Sequence, residues 1–411
     1  MTQSAYASSL AEQADVRQAV DSASREVLEQ LDGRTADLVF AFFTPTHARS
    51  AAQLSASLRE QIGCRHLVGC TAEWVAGGGR ELEDAPGLSV WAASMPGAEI
   101  VPFHVTFERT PDGVLCNGVP PAAAEPAAPP GQVVDSGRST APRGGDPREP
   151  AALFLLADPF TTAADAFLTH LADEHPQVPC WGGMASGARQ PGQNVLLLGD
   201  SCLDTGGVGI LIRGGPPIQS LVSQGCRPVG KPFIVTKSDR NAIFELGGLP
   251  ALKRLQEIFA ESTEEEQALM RGGLHLGIVL NEYQERFSRG DFLIANVLGA
   301  DHGSGALGVG AAVRTGQTVQ FHVRDASTAH EDLTQLLQHA QGGGRRPRAA
   351  LMFTCNGRGT RLFSQPNHDA SAIQEICGPI PLAGFCAQGE LGPVAGQNHV
   401  HGFTASVALF G

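Results

Sequence analysis

The sequence predicts an α/β protein of two pseudo-repeated halves, with mixed sheets stacked between outer helices, and three observations carry that expectation. First, one pattern recurs three times: an apolar strand-like run, a helical stretch, then a short strand that breaks into a turn of small residues. The passes are residues 38–43, 46–62 and 68–73; then 152–157, 161–175 and 180–187; then 350–354, 367–376 and 383–390. Second, the strand-like runs are apolar throughout while the helical stretches are amphipathic, as expected for sheets covered on both faces. Third, fifty glycines and only 6% aromatic residues suit a turn-rich α/β chain better than a helical bundle.

In chain order, residues 7–31 place Leu10, Ala14, Val20, Val27, Leu28 and Leu31 in a helical rhythm that Asp32-Gly33 can end. A lead-in helix within residues 1–35 is expected there. Residues 38–43 are a doubly covered strand, and Thr44-Pro45 opens the helix after it. Gly77-Gly78-Gly79 reads as a hairpin or lid, and residues 88–93 and 99–107 as strands without an intervening helix, so part of the sheet is antiparallel. Residues 108–150 are dominated by Pro, Ala, Gly and Ser, too poor in large apolar groups to offset the entropy of ordering. A disordered insertion is expected over this segment, at the least over 120–149. Residues 195–198 and 207–212 are strands that close a first half of 36–217. The second half, 218–411, begins with a crossing at 220–233 and a helix at 250–259. Strands follow at 274–280, 292–298, 306–313 and 318–323, then a helix at 329–340 and a closing strand at 403–410. A fourth, degenerate copy of the unit is expected around 233–279.

A chain of 411 residues with 42% hydrophobic and 17% charged residues is globular and long enough for sizeable cores. The net charge of −13 and the lack of a basic stretch exclude nucleic-acid backbone binding. Nine cysteines, with no Cys-x-x-Cys pair, read as free thiols in a reducing compartment. No signal peptide and no membrane-length apolar run is seen, so the expected location is the cytoplasm, without membrane insertion.

The three small-residue turns are the first candidate site: Cys70 and Glu73 in one, Gly182, Gly183 and Ser186 in the next, Cys386 and Glu390 in the third. Glycine lets another backbone or a ligand come close, and a strand ending in such a turn is where α/β proteins commonly build a cleft. Packing alone also explains each turn taken singly. Ser186 stands one place late for a G-x-S-x-G nucleophile elbow. Cys70, Cys180, Cys355 and Cys386 sit at strand ends beside glycine, and a catalytic cysteine would need His399 or His401 as base. The more common reading is a small core residue. His399 and His401, two apart on a strand, share a face, but no third ligand can be chosen for a metal. Arg358, in Cys355-Asn356-Gly357-Arg358-Gly359, suits bidentate capture of a carboxylate, or else an ion pair with Glu390. Because a strand-helix-strand unit sets its strands side by side, Arg358 and Glu390 should face one cleft with Cys355 and Cys386, and His401 approaching. No nucleotide-binding glycine motif appears in strand-to-helix context.

In motif order the chain resembles the FIST-domain family. The likeness runs through Val68-Gly69-Cys70-Thr71-Ala72-Glu73, Gly182-Gly183-Met184-Ala185-Ser186-Gly187 and Ser223-Gln224-Gly225-Cys226-Arg227-Pro228. It continues through Cys355-Asn356-Gly357-Arg358-Gly359, Gly389-Glu390-Leu391-Gly392-Pro393-Val394 and His401-Gly402-Phe403-Thr404-Ala405. The resemblance implies a sensory module of signal transduction that binds a small molecule, with amino acids proposed as ligands. Some bacterial relatives are described as haem-binding gas sensors. It also implies an arginine in the strand where this chain has Ala295-Asn296, so one ligand contact is absent here. The expectation is a non-catalytic sensor for an amino acid or small carboxylate, without a cofactor, signalling through a separate protein. A haem-binding gas sensor, a cysteine-dependent enzyme and a protein-interaction module are the alternatives.

Overall fold

Each of the three recurrent stretches folds into a parallel strand pair joined by helix. Leu38–Phe43 pairs with His66–Thr71, Pro150–Ala157 with Cys180–Met184, and Ala349–Cys355 with Leu382–Ala387. The computed structural model describes residues 3–121, 150–284, 286–287, 290–342 and 346–411. One glycine recurs at the same place in all three pairs: Gly69 opposite Ala41, Gly182 opposite Leu155, and Gly384 opposite Met352. A Cβ there would lie 2.1, 1.9 and 2.0 Å from the facing carbonyl oxygens of Ala41, Leu155 and Met352. The close approach of the two backbones therefore requires glycine at each.

Around each parallel pair the flanking strands take the same order, all antiparallel. The first sheet runs Ala5–Ala11, Leu88–Ser94, Leu38–Phe43, His66–Thr71, Leu196–Leu198, Ser201–Leu203. The second runs Glu99–Thr110, Gly207–Arg213, Pro150–Ala157, Cys180–Met184, Glu390–Val394, Gln397–His401, with Gly113–Asn117 added outside Glu99–Thr110. The third runs Ile218–Gln224, Thr404–Phe410, Ala349–Cys355, Leu382–Ala387, Val75–Gly77, Arg80–Leu82. In every sheet the last two strands are a hairpin lent by another unit. The hairpin after the first turn completes the third sheet, the one after the second completes the first, and the one after the third completes the second. Each loan covers an edge strand that would otherwise leave a row of unpaired amides. It also interlocks the halves, since strands from 75–82 and 390–401 each complete a sheet on the other side of residue 217.

The inner faces of these three sheets share one core. Phe40 and Phe42 of the first sheet, Phe154 and Trp181 of the second, and Phe353, Phe385 and Phe410 of the third are fully buried together. Phe42 meets Phe385 at 4.9 Å and Phe40 meets Phe154 at 5.4 Å between ring centroids. The outer faces are covered by helices: Val16–Leu31 and Ala51–Ile62 on the first, Ala164–Glu174 on the second, Ala326–Gly342 and His368–Cys377 on the third. The sheets are thus mixed and lie inside outer helices.

The fourth sheet is antiparallel throughout and contains Cys226–Asp239, Thr318–Arg324, Leu274–Val279, Phe292–Asp301 and Ala306–Val309. Helices Ala251–Glu261 and Glu264–Gly272 pack against it around a core of its own. Between Leu274–Val279 and Phe292–Asp301 the chain returns without a helix, so the strands run antiparallel. The fourth copy expected around 233–279 has no parallel strand pair of the kind seen in the other three.

Two expectations need correction. The lead-in helix begins at Val16, not at 7, because Ala5–Ala11 is an edge strand antiparallel to Leu88–Ser94. Asp15 sets that start, accepting from the amides of Arg17 and Gln18, both at 3.0 Å. The expected insertion at 108–150 also starts too early, because residues 108–110 pair with Gly113–Asn117 in a hairpin. Within the rest of the expected insertion, Pro120 O lies 2.7 Å from His175 Nε2 and Pro150 begins a strand, while 122–149 lie outside the described residues. Among the described residues no helix is long and apolar enough to cross a membrane.

Candidate functional site

Pseudo-symmetry brings the three small-residue turns together. The amide at the end of the second strand of each unit donates to the hairpin arriving from another: Thr71 to Val195 O, Met184 to Gly389 O, Cys386 to Trp74 O. At the meeting point Glu73 N donates to Ser186 Oγ (2.9 Å), and Ser186 Oγ in turn donates to the carbonyl of Cys386. Trp74 N donates to Cys386 Sγ at 3.2 Å. A shared cleft was expected here, and the turns do converge, but on a packed node in which Cys70, Gly182, Gly183, Ser186 and Cys386 are buried. Gly183 has its own close contact, since a Cβ there would lie 2.6 Å from Ala387 Cβ. Glu73, at the node's edge, forms an ion pair with Arg361. These residues hold the three units to one another and line no part of the cleft described next.

A cleft of about 1090 Å³ opens beside the node, between the hairpin Glu390–His401, the start of helix Ala164–Glu174 and the fourth sheet. Cys355, Glu390 and His401, all expected site residues, line it. Asn296, Asn356, Gln388, His399 and Phe403 also line it, and Arg314 stands exposed at its margin. Asn296 comes from the strand where the resemblance implied an arginine, and its Oδ1 lies 3.1 Å from His275 Nδ1.

Glu390 and His401 are direct cross-strand partners and His399 follows on the same face, so the hairpin pleat places all three together. Glu390 is wholly buried; its Oε2 accepts from Thr404 N at 3.1 Å and Thr404 Oγ1 at 2.9 Å. Its Oε1, beside the Cys355 thiol, makes no hydrogen bond of good geometry. Burial pushes this carboxyl up to about 8, against the pull of the Thr404 amide and hydroxyl. His401 Nε2 lies 2.9 Å from Gly392 O, and since a carbonyl only accepts, this nitrogen carries the proton. Burial lowers the His401 pKa to about 4, so the ring is neutral and its Nδ1 is a bare acceptor without a protein partner. His399 Nε2 is likewise unpartnered, and burial lowers that ring too.

Arg358 is placed differently from the expectation. Its guanidinium is fully buried and grips Asp369 from Nε at 2.7 Å and from NH2 at 2.8 Å. The structural partner is therefore Asp369, from helix His368–Cys377, rather than Glu390. Asp369, eleven residues on at the start of that helix, meets the planar fork with both oxygens. Arg358 meets cleft-lining residues at Phe403, whose carbonyl accepts from its NH1, and at Cys355, whose carbonyl accepts from its backbone amide at 2.9 Å. Phe403 itself is held at φ +61, unusual for a residue with a Cβ, with its ring 4.3 Å from that of His275 and 4.5 Å from the Arg324 guanidinium carbon.

The thiols are not set up as nucleophiles. Burial raises Cys355 well above the ordinary thiol range, with Glu390 adding to the shift, and pushes Cys386 up to about 12. Among the described residues no group of three His, Cys, Asp or Glu side chains is placed to hold a metal ion. Sequence reasoning passed over Asn356, Gln388 and Phe403 because nothing local distinguishes a polar residue at a strand end from any other. The one available signal was position: each lies within two residues of a residue already singled out.

Interlocked α/β units with a cleft of mixed polar and apolar lining at their junction with a fourth sheet have the architecture of a ligand-binding module. The chain belongs to the FIST family, matching the FIST N domain over residues 37–249 and the FIST C domain over 251–393. FIST domains are sensory ligand-binding modules of signalling. An uncharacterized Mycobacterium tuberculosis protein, Rv0628c, is 40% identical over 397 residues, covering 96% of this chain and 97% of its own. An uncharacterized Mycobacterium bovis protein, Mb0898c, is 39% identical over 399 residues, covering 96% of each.

Proposed function

We propose that the protein is a non-catalytic sensor whose cleft takes a free amino acid, with the ligand's ammonium group against Glu390. The carrying observation is the buried Glu390 Oε1 without a good donor, set beside the bare Nδ1 of a neutral His401. His401 Nδ1 is an unpaired buried acceptor that calls for an N–H group, and Glu390, which burial keeps protonated at neutral pH, becomes a second acceptor once a cation displaces its proton. An ammonium also stabilises the ionised carboxylate, reversing the effect of burial. Arg314 at the margin suits the ligand's carboxylate, taking the role that sequence reasoning gave to Arg358. The raised thiols favour binding over cysteine catalysis. The signal leaves through a separate protein.

The test is a thermal-shift and calorimetric screen of the twenty amino acids, each beside its deaminated carboxylate. An amino acid should raise the melting temperature where its deaminated twin does not, and Glu390→Gln should remove the effect. A shift that survives Glu390→Gln, or that the deaminated acids share, refutes the reading. Haem would need an axial nitrogen, and of the two cleft histidines with a free one, His399 and His401, His399 is the less buried. A sharp Soret band on adding haemin, lost in His399→Ala, would replace the amino-acid reading.

A further inference from the structure

On the outside of the third sheet, away from the cleft lining, the first turns of two helices bring His330 and His368 together. His330 Nδ1 lies 3.0 Å from His368 Nε2, between helices Ala326–Gly342 and His368–Cys377. We infer that this pair is a binding site for a divalent transition-metal ion of the zinc or nickel class.

The inference rests on how His368 is held. Its Nδ1 lies 2.9 Å from Asp369 Oδ1, and a carboxylate gripped by Arg358 can only accept, so Nδ1 carries the proton. The Nε2 lone pair then faces outward and accepts from His330 Nδ1, whose proton a bound ion would replace. Phe363 stacks on the His368 ring at 3.4 Å between centroids and 9° between planes, which fixes the ring's rotation. A carboxylate behind a histidine that offers its other nitrogen is the arrangement that orients metal-ligating imidazoles and raises their basicity. Asp369 is in turn fixed by both Arg358 nitrogens and by Thr354 Oγ1 at 3.1 Å. His330 is exposed, so it can turn to present Nδ1 as the second ligand. The nitrogen separation is close to what two imidazoles on one ion require, given metal–nitrogen bonds of about 2.0–2.1 Å.

No third protein donor of the His, Cys, Asp or Glu type joins them among the described residues. Water therefore completes the coordination, and the affinity belongs to the micromolar class of a two-ligand surface site rather than to a structural zinc. Imidazole ligands suit zinc, nickel and copper better than magnesium or calcium, so the site discriminates between these classes.

The test uses the tag-free protein and isothermal titration with Ni²⁺ and, separately, Zn²⁺ and Mg²⁺. Cys202, the exposed cysteine, is replaced by serine in every sample so that a surface thiol does not compete. One equivalent of Ni²⁺ should bind, with Mg²⁺ giving no heat. His330→Ala, at an exposed position, should keep the melting temperature and weaken Ni²⁺ binding at least tenfold. His368→Gln, read at a temperature where it is folded, should weaken Ni²⁺ binding by as much. Absence of Ni²⁺ binding, or binding of equal strength in His330→Ala and the parent, overturns the inference. Neither result depends on whether the cleft binds an amino acid.

Discussion

Replacing Arg358 by methionine removes a buried cation and keeps much of its apolar stem. What remains is Asp369, about 1% exposed on its side chain, with Thr354 Oγ1 and His368 as its surviving donors. Glu81 and Glu390, both buried carboxyls pushed up by desolvation, also lose a compensating positive charge. Breaking a buried ion pair by removing one partner costs about 3–5 kcal/mol, and Asp369, left ionised and almost fully buried, places this case within that range. Urea unfolding should therefore show a lower midpoint with an unchanged slope. The double variant Arg358→Met/Asp369→Leu should recover most of the loss, since the uncompensated charge is then gone. The pH dependence gives an independent check. Asp369 is held well below the usual carboxylate range, chiefly by the Arg358 charge against the opposing effect of burial. Its contribution is thus fully present above the unfolded carboxylate value of about 4 and is lost as pH falls below that. Wild-type stability should drop in that acid window and the Arg358→Met drop should be smaller. A loss of under about 1 kcal/mol at neutral pH would refute the structural role and return Arg358 to the ligand.

Glu390 titrates the other way. Its folded value, about 8, lies above the unfolded one, so the folded state holds an extra proton between roughly pH 4.5 and 8. Stability should fall across that window as pH rises, by on the order of a few kcal/mol, and Glu390→Gln should flatten the slope; an unchanged profile would show that Glu390 ionises as freely in the fold as in the unfolded chain. Gly384→Ala would place a Cβ 2.0 Å from Met352 O within a parallel pair. That overpacking should cost about 3 kcal/mol or more, read as loss of soluble protein or a lower denaturation midpoint; a variant as stable as the parent would show that the strands part easily.

Sequence alone determined the units and their family. Apolar runs such as Leu38–Phe43 and Ala349–Cys355, the amphipathic helices between them and the glycine-bearing second strands are local patterns of period and composition, and local patterns survive in a one-dimensional reading. Sequence also singled out Glu390, Cys355 and His401, which line the cleft, because they stand beside the turns that end those strands. Tertiary structure alone decided where the turns lead. The loan of each hairpin to a neighbouring unit pairs residues far apart in the chain, such as Val75 with Phe385 and Leu196 with Cys70, and no local signal specifies it. That exchange turned the expected shared cleft into a closed node and moved the open space to the junction with the fourth sheet. A separate long-range pairing makes residues 5–11 strand: the partner strand Leu88–Ser94 supplies hydrogen bonds that a helical rhythm did not anticipate. Arg358 shows the same limit at one side chain. A guanidinium in a glycine turn can meet a ligand or any nearby acid, and the choice of Asp369 over Glu390 follows from which carboxylate the packed helix brings within reach of both its nitrogens.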